Sequence, residues 1–233
     1  MPYGSMEEDL LDSLRMEVSP LPPSTERELR EIVGVIQNSI IDLWGEYIPE
    51  EKRDVDVSHK TIVASSEFYE ELGVLLDSSI LRQILPSLSD RISGRKFGES
   101  GGVFNRDFGG VSLLPDDVFE RDNSAIELCR RLSHETVHHF HNPQLFSSFL
   151  EIGAWYYASM IMESAFNIPP QTELELAVRG FYENLLEKYG DAVHRIYFGN
   201  TYLFSKEVPV DIRTSIRREF NSPEAKELSR KVA

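Results

Sequence analysis

The stretch that decides the reading runs Ser133-His134-Glu135-Thr136-Val137-His138-His139-Phe140-His141-Asn142-Pro143 and, after Gln144 to Ser148, Phe149-Leu150-Glu151-Ile152-Gly153-Ala154-Trp155. Four of the chain's 6 histidines fall in its first half. Asp122-Asn123-Ser124 supplies N-cap chemistry ahead of it, and Ile126, Cys129, Val137 and Phe140 recur at helical spacing. The pattern predicts a helix over 124–141, broken at Asn142-Pro143, with a second helix over 143–166 that opens on Pro143 and stops before Pro169-Pro170.

Residues four apart share one face of a helix, so His134 and His138 can both reach a single Zn²⁺ at about 2.0–2.1 Å. Glu135 lies one position on, about 100° around the helix, and is free to act as a general base rather than as a ligand. A catalytic zinc takes three protein ligands and keeps one position open. His141 would lie about 10 Å along the axis from His134 on an unbroken helix, too far to join. Folding the two helices about residue 142 brings Glu151 level with His134, whereas Glu163 sits about 18 Å further along. The expected metal ligands are therefore His134, His138 and Glu151, with Zn²⁺ as the cofactor.

Outward from this core the chain reads as follows. Residues 1–24 form an acidic arm ending in Ser19-Pro20-Leu21-Pro22-Pro23-Ser24, too proline-rich for regular structure. Thr25 to Glu28 reads as a capping box for a helix over 25–45, and a second helical region covers 66–84. Six glycines between 94 and 110 mark a turn-rich stretch, with Gly102 to Asn105 and Gly110 to Leu114 as strands. The second of these is a candidate edge strand able to hold a peptide by main-chain hydrogen bonds. A further helix runs from Thr172 to a C-cap at Gly190. Residues 206–233 read as a polar C-terminal extension, which leaves 25–205 as one domain. The fold class is α+β: mainly helical, with a small glycine-rich sheet packed on the active-site helix.

Composition limits the partners. The 233 residues hold 24 Lys plus Arg against 39 Asp plus Glu, a formal net charge of -15. So acidic a surface repels phosphate backbones and disfavours nucleic acid. The most apolar helical stretch, Ala154 to Met162, is about half of the roughly 20 residues that span a bilayer, so no membrane partner is expected. One cysteine cannot make an internal disulfide, which fits a cytoplasmic setting.

His134-Glu135-Thr136-Val137-His138 followed by Glu151-Ile152-Gly153-Ala154, with Gly110 to Leu114 upstream, resembles the gluzincin zinc metallopeptidases, above all the compact minigluzincin-like group. The resemblance covers roughly residues 60–190. It implies a zincin-like fold, His134, His138 and Glu151 as ligands, Glu135 as general base, and peptide or protein as substrate. The metzincin pattern is not met, because His141 and Gln144 stand where its glycine and third histidine belong. Many gluzincins carry an Asp four residues beyond the third ligand, and here that place holds Trp155.

Amide hydrolysis at such a centre also requires a donor for the developing oxyanion. Asp191-Ala192-Val193-His194-Arg195-Ile196-Tyr197 supplies His194 and Tyr197 as candidates. Two other readings belong to different classes: a non-catalytic or zinc-sensing interaction domain, and a zinc hydrolase of a non-peptide amide. The sequence leaves the oligomeric state undefined.

Overall fold

The computed structural model describes residues 21–65, 103–105, 111–115, 125–199 and 207–232. Nearly all of the N-terminal arm, the helical region expected over 66–84 and most of the glycine-bearing stretch lie outside the described residues. What is described is mainly helical.

Helix α1 spans Pro23–Trp44 and begins two residues before the expected capping box. Pro23 has a φ already suited to a helix and no N–H to leave unsatisfied, so it takes the first position. Glu26 N donates to Pro22 O at 3.1 Å, which places Thr25 to Glu28 inside the first turns rather than ahead of them. The predicted apolar stripe is buried at Leu29, Val33, Ile36, Ile40 and Trp44. The short helix α2 follows at Glu50–Arg53.

Three short strands form one sheet: β1 (Thr61–Ala64), β2 (Val103–Asn105) and β3 (Val111–Pro115), in the order β1-β3-β2. β3 pairs in parallel with β1, Thr61 opposite Ser112, and antiparallel with β2, Val103 opposite Leu113. The expectation of an edge strand at 110–114 is therefore corrected. β3 is the middle strand and its ladder bonds are taken on both sides. The β-branched run Thr61-Ile62-Val63, which favours a strand, supplies the unexpected neighbour.

The chain divides into two compact units. One comprises Met1–Gly34 with Asp56–Arg131, the other Val35–Val55 with Leu132–Ala233. The sheet belongs to the first. Helix α3 spans Ala125–Phe140, and its histidines belong to the second unit.

The second unit is built around α4 (Ser147–Phe166). α4 begins four residues later than Pro143, for a local reason. Asn142 Oδ1 accepts from Gln144 N at 3.0 Å, an Asx turn that diverts the chain before helix can start. Phe149 N and Leu150 N then both bond to Phe146 O. α4 is apolar nearly all round, with Phe149, Leu150, Ile152, Tyr157, Ile161 and Met162 among its buried residues, as expected of a helix covered on several sides. It ends at Asn167, whose φ of 57° is the left-handed cap that Asn tolerates.

α5 (Glu173–Tyr189) ends at the predicted C-cap, Gly190 at φ 57°, and starts beside Thr172, where a reciprocal Thr172–Glu175 capping box closes the first turn. α6 (Ala192–Phe198), α7 (Val210–Phe220) and α8 (Pro223–Val232) complete the unit. α5, α6 and α8 all pack on α4. Residues 206–233, read as a polar extension, thus hold two amphipathic helices that bury Ile216, Phe220, Ala225 and Leu228. Phe220 stacks on Phe149 with centroids 3.9 Å apart.

Candidate metal centre

Nε2 of His134, Nε2 of His138 and Oε2 of Glu151 form a triangle. The two nitrogens are 3.1 Å apart, and the carboxylate oxygen lies 3.4 Å from the first and 3.7 Å from the second. A tetrahedral ion with bonds of about 2.0–2.1 Å requires donors about 3.4 Å apart along each edge. The three distances bracket that value, so the donor set fits a divalent cation. Two imidazoles and one carboxylate suit zinc and other first-row divalent metals, and three donors leave a coordination position open. The ligands sit in protein rather than on it, with His138 3% exposed and His134 and Glu151 14% and 19%.

The sequence explains each placement. One turn of α3 brings the two histidines together, and their rings meet edge to face at 4.7 Å. Glu135 projects from the same turn, is buried, and is not part of the triangle. Lys52 donates from Nζ to Phe140 O at 3.1 Å and to His141 O at 2.6 Å. That puts a cation on the carbonyls at the end of α3, where the helix dipole favours positive charge. His141 lies just past the helix, buried, its ring 5.4 Å from that of His138, and takes no part in the triangle. Glu163 is bound elsewhere, accepting from Arg179 Nη1 at 2.6 Å. Trp155, at the place of the usual second carboxylate, sets its indole 5.6 Å from the His134 ring and donates Nε1–H to Val232 O.

No protein-family model matches the chain, nor does any curated protein or solved structure at a significant level. The geometry of the site therefore carries the functional reading.

The expected oxyanion donors are placed otherwise. Tyr197 is fully buried and its hydroxyl donates to Leu150 O at 3.2 Å. Burial, then Tyr182, then the Glu151 carboxylate push its phenol well above the ordinary value, so the proton stays on. His194 stacks on Tyr47, and its Nδ1 lies 2.8 Å from Tyr157 Oη. Tyr182 Oη in turn lies 3.0 Å from Tyr157 Oη. Burial lowers the His194 imidazole to about 4, outweighing Asp191 and Glu46, and keeps it neutral. Tyr197 thus directs its hydrogen bond into the core of the second unit instead of toward a substrate.

Sequence reasoning missed Lys52 and the close approach of Tyr197 to Gly153. A signal existed for the last. Gly153 interrupts an apolar helical run, at a cost of about 1 kcal/mol against Ala, and an interior glycine of this kind marks a close approach.

Proposed function

We propose that the protein is a metal-dependent hydrolase of peptide bonds, with zinc as its cation and a gluzincin-like arrangement of residues. The observation that carries the reading is the His134–His138–Glu151 triangle, with Glu135 one position along the same helical turn. A divalent cation held there would polarise a scissile carbonyl and lower the pKa of a water molecule to about 7. Glu135 is the base in this reading. Its carboxylate takes the proton from water and returns it to the leaving amine. His134 and His138 offer neutral Nε2 lone pairs, and Glu151 supplies the one negative charge of the donor set.

The reading extends to a small glycine-rich sheet packed against the active-site helix, with peptide or unfolded protein as substrate. It also includes a cytoplasmic setting, supported by the single cysteine; no described helix is long and apolar enough to cross a membrane.

One observation favours a second reading. Tyr197 spends its hydroxyl proton on Leu150 O, so it supplies no oxyanion donor. A non-catalytic, cation-sensing domain needs none. Incubating the zinc-loaded protein with unfolded protein and a broad peptide panel, beside Glu135→Gln, separates the two. Hydrolysis that disappears in Glu135→Gln supports the peptidase. Zinc binding without hydrolysis supports the sensor.

A further inference from the structure

Glu151 reaches the histidines only if α3 and α4 keep a fixed separation, and one residue touches both α4 and the turn that follows α3. Tyr197 O accepts from Asn142 N, two residues past the end of α3. Its hydroxyl donates to Leu150 O at 3.2 Å, next to Glu151 on α4. Its ring lies flush against Gly153. A Cβ built there would run into Tyr197 Cε2, with Cδ2 at 2.7 Å and Cζ at 3.0 Å, closer than side chains pack. Phe149 and Tyr157, with ring centroids 5.9 and 4.6 Å from that of Tyr197, hold the ring in place.

We propose that Tyr197 is the positioning residue of the cation site: it ties the turn that ends the His-bearing helix to the Glu-bearing helix and sets Oε2 of Glu151 where one cation can reach it and both imidazoles. Gly153 is the complementary half of this clasp, because only a residue without a side chain lets the ring approach so closely. The proposal rests on the reading that His134, His138 and Glu151 bind a divalent cation. A protein can hold a ligand within reach of a metal and still bind weakly if the ligand is free to wander, so affinity reports how well the spacing is fixed.

The test measures Zn²⁺ affinity by competition with a chromophoric chelator in wild type, Tyr197→Phe, Gly153→Ala and Ile216→Val. The last is a core substitution on α7, outside the Tyr197–Gly153 pair. Tyr197→Phe is expected to weaken binding about 10-fold and Gly153→Ala about 100-fold, within the range lost when groups supporting metal ligands are removed. Ile216→Val should bind as wild type. Equal affinity in wild type, Tyr197→Phe and Gly153→Ala, all folded by circular dichroism, would overturn the proposal. So would an equal loss in Ile216→Val, which would show a general effect of lowered stability.

Hydrogen exchange at the Asn142 amide in cation-free protein gives an independent readout. It is expected to be slow in wild type and at least about 10-fold faster in Gly153→Ala, since a bonded amide exchanges only when its surroundings open. If wild type binds no cation, the metal reading fails while exchange still judges the clasp. Unchanged protection in Gly153→Ala would then overturn it as well.

Discussion

Oε2 of Glu151 lies 3.4 Å from Nε2 of His134, although the two residues belong to different helices. Such a contact between a carboxylate and an imidazole that also faces a second imidazole is what a shared cation would organise. About one divalent ion per chain is therefore expected by elemental analysis. His134→Ala and His138→Ala should lose it. Glu151→Ala should weaken binding at least about 100-fold, since a direct ligand should matter no less than the outer partners that cost 10–100-fold. Glu163→Ala should bind normally, because that carboxylate serves Arg179. Wild-type protein purified without chelator and free of metal would refute the site.

Removing the cation should also lower stability. A ligand present at 100 times its dissociation constant stabilises the state that binds it by about 2.7 kcal/mol. Thermal unfolding with excess Zn²⁺ and with chelator should differ accordingly in wild type and coincide in His138→Ala. A difference that persists in His138→Ala would place the binding elsewhere.

Glu135→Gln keeps nearly the same volume and removes only basicity. Cation content should be unchanged. Hydrolysis should fall about 10²–10⁴-fold, mainly in kcat, because the proton moves in the transition state. Loss of cation together with activity would instead make Glu135 a ligand or a brace.

His194 gives the second unit a predictable response to acid. Its folded pKa, about 4, lies below the ordinary 6.5, so the unfolded chain binds the proton more readily. Above about pH 6.5 the group costs nothing. As pH falls from 6.5 toward 4, stability should decline by up to about 3 kcal/mol. Denaturant unfolding between pH 4 and 7 should show this decline in wild type and a shallower one in His194→Gln. Parallel curves would mean that the imidazole is not held neutral by burial.

Lys52→Met should remove the two hydrogen bonds that close the end of α3. A cost of about 1–2 kcal/mol is expected from losing charged bonds to helix-terminal carbonyls. Faster exchange confined to the last turn of α3 would locate the effect. An unchanged exchange pattern would show that water replaces the lysine without loss.

The amino-acid sequence alone determined the features that depend on near neighbours. The pairing of His134 with His138 follows from the period of an α-helix, and the caps at Thr172 and Gly190 from chemistry within one turn. The choice of Glu151 over Glu163 was legible too, because a break at Asn142-Pro143 leaves few ways for two successive helices to meet. Tertiary structure decided what depends on distant segments. The Asx turn at Asn142 delays α4 to Ser147, and β1 arrives from far along the chain to make β3 a middle strand. Tyr197 turns from a candidate donor into a core residue because Gly153 leaves room for its ring and Leu150 O accepts its proton. A tyrosine in a list of residues carries both possibilities. Only the packing around it fixes whether its hydroxyl meets a substrate or a backbone carbonyl, because that packing is set by helices whose register no local rule encodes.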